Sequence, residues 1–286
     1  MRTVLVTGAA GGIGSRLRKL LRGVYPLIRC SDLRVPADLA PDETFIAADL
    51  ADSAQVDSAV AGVDGIVHLG GISIERPWEE ILTANIVGCH NVFEAARRHR
   101  VKRVVFASSN HAVGFYPRRR RIGTDVAVRP DSRYGVSKAF GEALGALYAY
   151  KHGLRVTCLR IGNVDDAPVD QRRLSIWLKP EDLVQLIRIG LEHPDLRYEI
   201  FFGASENERR WWDNAAAFRY GYRPIGRSES GRDAALAATT PSDAVSDWYQ
   251  GGPFCSDEFD ADPELARFSR SVPKQFGEGV VIDSHG

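Results

Sequence analysis

The sequence predicts a doubly wound α/β fold on a parallel sheet, and three observations carry that expectation. Short β-branched runs alternate with amphipathic stretches of helical length over the first two-thirds of the chain, the pattern of successive βαβ units. A glycine-rich turn joins the first such run to the first amphipathic stretch. Right-handed crossovers then place helices on both faces and leave a ligand crevice at the strand C-termini.

The 286 residues are 44% hydrophobic, ordinary for a packed core and far from a disordered composition. Lys+Arg and Asp+Glu are both 37, so no basic excess marks the chain as a general nucleic-acid binder. The N-terminal apolar run is too short for a signal h-region. No stretch approaches the ~18 apolar residues of a membrane span. Cys30, Cys89, Cys158 and Cys255 are widely spaced and form no CxxC, which predicts free thiols, no metal site and a cytoplasmic location.

The first strand, 3–7, runs into Gly8-Ala-Ala-Gly11-Gly12-Ile13-Gly14, and a helix over 12–22 follows. Glycines at this spacing permit the tight turn, close approach of a pyrophosphate and close helix–strand packing. The free N–H groups of the helix N-terminus then face the phosphates. The second strand, 27–31, meets Asp32, whose carboxylate can accept the adenosine ribose hydroxyls and repel a 2′-phosphate. That points to NAD rather than NADP, with Arg34 a nearby cation bearing on the preference. The competing reading is that Asp32 only caps a turn.

The third strand, 44–48, ends at Asp49-Leu50, where an Asp side chain can meet an adenine amino group. A helix over 53–61 follows. The fourth strand, 65–69, ends in Leu69-Gly70-Gly71, which lets backbone run along the cofactor. In the helix near 78–99, Asn85 is a poor helix former and marks a kink or an ordered water beside the cofactor region. His68 reads as a packed strand histidine.

The fifth strand, 103–108, ends in Ser108-Ser109-Asn110-His111, which puts a hydroxyl at the nicotinamide end of the crevice. The helix over 133–152 opens with Tyr134-Gly-Val-Ser-Lys138. Side chains at i and i+4 share a helix face about 5–6 Å apart. The ammonium lowers the phenol pKa and makes Tyr134 a candidate general base. A surface lysine at an ordinary helix start is the bland alternative. A sixth strand, 155–160, leads to Ile161-Gly162-Asn163, and a helix at 180–192 and a strand at 199–202 complete the alternation. Beyond that, glycines and prolines punctuate a small cap. The expectation is one domain: a dinucleotide-binding core over about 1–165, cap residues over about 166–265, and a frayed tail over 266–286.

A strand-end serine, a downstream YxxxK and an upstream glycine fingerprint occur in the order found in the extended short-chain dehydrogenase/reductase superfamily, which the chain resembles as a Rossmann-type protein. The segments His68-Leu-Gly-Gly-Ile-Ser73, Phe106-Ala-Ser-Ser-Asn-His111, Tyr134-Gly-Val-Ser-Lys138, Trp211-Trp-Asp-Asn214 and Gln250-Gly-Gly252 look more specifically like uronate dehydrogenases. That resemblance implies NAD-dependent oxidation of C1 of glucuronate or galacturonate to the aldarolactone. It assigns Tyr134 as base, Lys138 as its partner and Ser109 as the group orienting the oxygen. Ser108 and Ile161 join the cofactor set. Ser73, Asn110, His111 and Asn163 fall at the sugar, Arg172 at its carboxylate and Phe254 over the pocket. It also implies a homo-oligomer.

Two positions depart from the family pattern. Asn163 stands where a serine is usual, and Arg173 adds a cation where an apolar residue is usual. They keep open a dehydrogenase of a sulfonated or neutral sugar. A nucleotide-sugar epimerase or dehydratase on the same scaffold is a further alternative, although its cap is larger. A non-catalytic NAD sensor is the alternative of another class, and it has no need of the Ser109–Tyr134–Lys138 set. Arg118-Arg-Arg-Arg121 reads as a solvated loop.

Overall fold

The structure is a computed structural model and describes residues 1–239 and 243–262. The expected tail at 266–286 lies outside the described residues. Seven strands form one parallel sheet: β1 (Thr3–Thr7), β2 (Leu27–Asp32), β3 (Glu43–Ala47), β4 (Gly65–His68), β5 (Arg103–Ser109), β6 (Arg155–Ile161) and, after a short pair β7 (Asn163–Val164) and β8 (Trp177–Leu178), β9 (Tyr198–Gly203). Their order is β3-β2-β1-β4-β5-β6-β9, so the strand order reverses between β1 and β4. All seven expected strands form, each within a residue or two of its expected bounds.

Alternating side chains along the strands feed two cores. On one face Val4, Val6, Val67, Val105 and Leu159 pack under α1 (Gly12–Leu21). On the other, Leu5, Ile66, Val104, Phe106 and Val156 pack under α2 (Ser53–Val60) and the helices that follow β4 and β5. The helix after β4 is not uniform. A first turn, α3 (Trp78–Ile81), passes through a π-helical segment over Leu82–Val87 into α4 (Gly88–Arg98). At Asn85, where a kink or an ordered water was expected, the structure has this π-helical segment.

The helix after β5, α5 (Arg133–His152), starts on a Ser132 N-cap, whose Oγ accepts from the Gly135 N–H at 2.9 Å, and ends at Gly153 with φ 72°. Glu75, from the loop after β4, caps the same end twice: its carboxylate accepts the N–H of Arg133 at 3.1 Å and of Tyr134 at 2.9 Å. The first turn of α5 is therefore fixed from both sides.

The chain after residue 165 is divided between two jobs. The short α6 (Arg173–Ile176) and β8 lie in the cap, but α7 (Pro180–Glu192) returns to the sheet and packs on α1, and β9 pairs with β6 as the last strand. A third cluster of Val113, Tyr116, Ile122, Ile176, Phe202 and Trp212 ties the cap to the β5–α5 connection. The arginine run is not merely a solvated loop. Arg118 donates to the carbonyls of Tyr249 at 3.1 Å and Ser246 at 2.7 Å, and lies 5.3 Å from the Trp211 ring centroid. Arg119 lies over Trp248 and Arg120 over Tyr116. The run is a clasp between the β5–α5 connection and the C-terminal segment, using cation–π contacts that sequence spacing does not show. Among the described residues no helix is long and apolar enough to cross a membrane.

Candidate active site

A cavity of about 580 Å³ opens along the C-terminal ends of β1, β2, β4, β5 and β6. One end is built by the turn after β1. Gly8 has φ 67°, and a Cβ on Gly14 would lie 2.2 Å from the Gly8 carbonyl oxygen, so both positions require glycine. The buried Arg18 holds this turn from behind, donating to the Ala9 carbonyl at 3.1 Å and to both carboxylate oxygens of Glu43. Asp32 also braces it: one oxygen accepts the Ala10 N–H at 3.0 Å and the other the Leu33 N–H at 2.8 Å. A glycine turn with no room for side chains, facing a helix N-terminus and a strand-end carboxylate, fits a dinucleotide.

Of the residues expected at the cofactor, Gly8, Gly11, Gly12, Ile13, Gly14, Asp32, Asp49, Leu50, Leu69, Gly70, Gly71, Ser108, Tyr134, Lys138 and Ile161 all line this cavity. Asn85 does not. Its amide accepts from Ile72 N at 2.8 Å and donates to the Ile72 carbonyl at 2.9 Å and to Ser137 Oγ at 3.0 Å. With its amide spent this way, Asn85 pins the loop after β4 to α5 and serves the site only through that loop. His68 is buried, bonded to Thr7 Oγ1 at 2.8 Å and pushed down to about 3 by burial, so it is a neutral packed histidine.

At the other end lie Ser73, Ser109, Asn110, His111, Tyr134, Lys138 and Asn163. Lys138 Nζ donates to the Ala107 carbonyl at 2.9 Å and sits 5.4 Å from the Tyr134 ring centroid. Burial pushes the Tyr134 phenol up to about 12, while a hydrogen bond with Ser109 pulls it down. Burial brings the Lys138 ammonium down to about 8. Behind this pair, Arg160 donates to both oxygens of Glu142 at 2.9 Å, and Ser108 Oγ donates to Glu142 at 2.6 Å, which locks β5, β6 and α5 together.

Arg172 and Phe254 stand outside the cavity wall. Phe254 stacks on His111 with ring centroids 3.9 Å apart. Arg172 is half-buried, and its Nε and Nη2 donate to the Gln250 carbonyl at 3.1 and 2.8 Å. With the Asn110 amide oriented to satisfy its neighbours, its oxygen accepts from Arg172 Nη2 at 3.2 Å and its nitrogen donates to the Ile161 carbonyl at 3.1 Å. Asn110 thus separates Arg172 from the space in front of Ser109. Burial, with Arg173 and Arg118 nearby, brings the Arg172 guanidinium down to about 10, and it remains a cation at neutral pH. It forms no ion pair among the described residues.

Arg173, by contrast, is engaged: its guanidinium and N–H both bond Asp170. The Oδ1 of Asn163 is buried with no partner among the described residues.

Sequence reasoning missed three supports. Glu75 caps α5 from a loop without a motif. Gln250 is a hub whose backbone carbonyl holds Arg172, whose Oε1 accepts from Trp212 Nε1 at 2.8 Å and whose amide donates to the Pro117 and Arg120 carbonyls. Asp131 bonds His111. The segment containing Gln250 stood out in the sequence, but nothing local assigned it a task.

Residues 4–165 match the NAD dependent epimerase/dehydratase family. The chain is 47% identical to the uronate dehydrogenase of Pseudomonas putida over 253 residues, covering 88% of this chain and 94% of that protein. The crystal structure of uronate dehydrogenase from Agrobacterium tumefaciens superposes with a TM-score of 0.86 at 43% identity, covering 90% of this chain and 97% of that one. A tyrosine-to-alanine mutant of that enzyme, solved in complex with NAD, superposes equally well, with a TM-score of 0.86.

Proposed function

The chain belongs to the NAD dependent epimerase/dehydratase family and, within it, to the uronate dehydrogenases, and on that premise we propose that it oxidises C1 of glucuronate or galacturonate with NAD, giving the aldarolactone. The observation that carries the acidic-sugar reading is Arg172: a desolvated cation with no carboxylate partner among the described residues, one amide away from Ser109 and Tyr134. A neutral sugar would leave that charge without a directly bonded carboxylate, with Asp131 favouring it only from a distance, whereas a substrate carboxylate can take a guanidinium fork in paired, charge-assisted hydrogen bonds.

In this reading the glycine turn and Asp32 hold the cofactor's pyrophosphate and adenosine ribose. When bound, NAD supplies a positive charge and the acceptor for the hydride that leaves C1. Ser109 Oγ orients the anomeric oxygen, and Tyr134 Oη takes its proton. The Lys138 ammonium, fixed on the Ala107 carbonyl, stabilises the phenolate. Arg172, with Asn110 and Ser73, holds the far end of the sugar, so that binding energy remote from C1 orients the reacting bond. Asn163 lines the same cavity, although its unpaired amide oxygen is buried rather than presented to it.

Arg173 is spent on Asp170, which removes the reason to favour a sulfonate over a carboxylate. Four free, buried cysteines fit the reducing cytoplasm expected for the protein. A homo-oligomer belongs to the same proposal, supported by exposed Val136, Leu147 and Tyr150 along one stripe of α5. The test is product analysis: glucuronate with NAD is expected to give equimolar NADH and aldarolactone, seen by absorbance and carbon NMR. Binding of NAD without any turnover would instead support a sensor.

A further inference from the structure

We propose that Asp131 is a positioning residue of this site: it holds the His111 imidazole as the Nδ1–H tautomer, so that Nε2 is a fixed acceptor for a sugar hydroxyl. The inference deepens the reading of the cavity as a sugar site and rests on it.

His111 lines the cavity next to Ser109, and its Nδ1 lies 2.7 Å from Asp131 Oδ2. The Asp131 side chain has no solvent exposure. An ionised carboxylate only accepts hydrogen bonds, so the nitrogen facing it carries the proton and the other nitrogen is left with its lone pair. Nε2 makes no hydrogen bond among the described residues, which leaves it to a ligand. The ring cannot swing away, because Phe254 stacks on one face at 3.9 Å and Tyr134 meets it edge-on at 5.7 Å between centroids.

The surroundings of the carboxylate are as specific as its bond to the imidazole. Two remote segments and the first turn of α5 approach it, and each does so with glycine. A Cβ on Gly114 would lie 1.8 Å from Asp131 Oδ2, one on Gly251 1.9 Å from the same oxygen, and one on Gly135 3.1 Å from Oδ1. Ser132 Oγ donates to Oδ1 at 2.8 Å, and the Asp131 N–H donates to the His111 carbonyl at 3.3 Å, so main chain and side chain both join 131 to 111. Desolvating a carboxylate is costly, and packing alone would be met at lower cost by an apolar side chain. Its charge also favours the Arg172 cation, and the Cys255 thiol lies 3.9 Å from Oδ2, but the one ring it grips belongs to the cavity wall beside the reacting oxygen, and the positioning role lies in that ring.

The test combines nitrogen NMR of histidine-labelled enzyme with steady-state kinetics. Wild-type His111 is expected to show a protonated Nδ1 and an unprotonated Nε2. Asp131→Asn keeps the shape but can bond Nδ1 in either sense, so the tautomer bias should fall and kcat/KM for glucuronate should drop about 10- to 100-fold. NAD affinity should stay unchanged. In a cycle with His111→Asn, the double variant should be within about twofold of His111→Asn alone, because Asp131 acts through that ring. An Nε2–H tautomer in the wild type, or losses that add in full in the double variant, would overturn the proposal. If Asp131→Asn does not fold, the wild-type spectrum still decides. A wild type that leaves uronates unoxidised would sink the functional reading, while the tautomer measurement would judge the dyad separately.

Discussion

Replacing Arg172 by alanine separates recognition of the sugar acid from chemistry at C1. The guanidinium is bonded to the Gln250 carbonyl and Asn110 and has no counter-ion among the described residues, although burial already disfavours its charge. Asp131 favours the charge without bonding it, so a substrate carboxylate would be its direct partner. A hydrogen bond to a charged group is worth about 1.5–3 kcal/mol. Loss of the pair therefore lowers kcat/KM for glucuronate about 10- to 150-fold, mostly through KM, since the carboxylate is bound alike in ground and transition states. Glucose has no carboxylate, so its kcat/KM should hardly change and the glucuronate-to-glucose ratio should collapse. The assay is NADH formation over a range of both sugars, with NAD binding as a check on folding. An equal loss on both sugars would refute the assignment and make Arg172 a structural brace for Gln250. As a contrast, Arg173→Ala should change the ratio by less than about threefold, because that charge is spent on Asp170.

Three further outcomes follow. Tyr134→Phe removes the proton acceptor and should lower kcat by at least about 10²-fold while leaving NAD affinity intact, as measured by turnover and by fluorescence titration. A base acquires its active form as pH rises through its pKa, so kcat/KM in the wild type should climb as pH rises above neutral. Lys138→Met removes the ammonium that stabilises the phenolate and should displace that rise to higher pH. Gly14→Ala drives a Cβ to 2.2 Å from the Gly8 carbonyl and should abolish measurable NAD binding and lower Tm, read by titration and thermal melting.

The fold was legible because strand and helix periods alternate clearly. The cofactor end was equally legible, since Gly8, Gly14 and Asp32 work through local backbone geometry that spacing encodes. The sugar end was only partly so. Ser109, Tyr134 and Lys138 sit on regular elements with fixed offsets, but their supports come from far along the chain. Glu75 caps α5 from 58 residues away, and Gln250 holds Arg172 from 78. Such contacts depend on how the cap folds back, which no local pattern specifies. Asn85 illustrates the converse: its effect on the helix was readable, but not that its amide would be used up on Ile72 and Ser137. The arginine run misled for the same reason, since its aromatic partners Trp211 and Trp248 are remote in sequence.

The most direct test of the account is the relative kcat/KM of the purified chain for glucuronate, galacturonate, glucose and sulfoquinovose, each with NAD and with NADP. A uronate with NAD is expected to lead the panel, with glucose slower by at least the factor that the carboxylate supplies, about 10- to 150-fold. Turnover led by glucose or sulfoquinovose, or none with any of the four despite bound NAD, would contradict it.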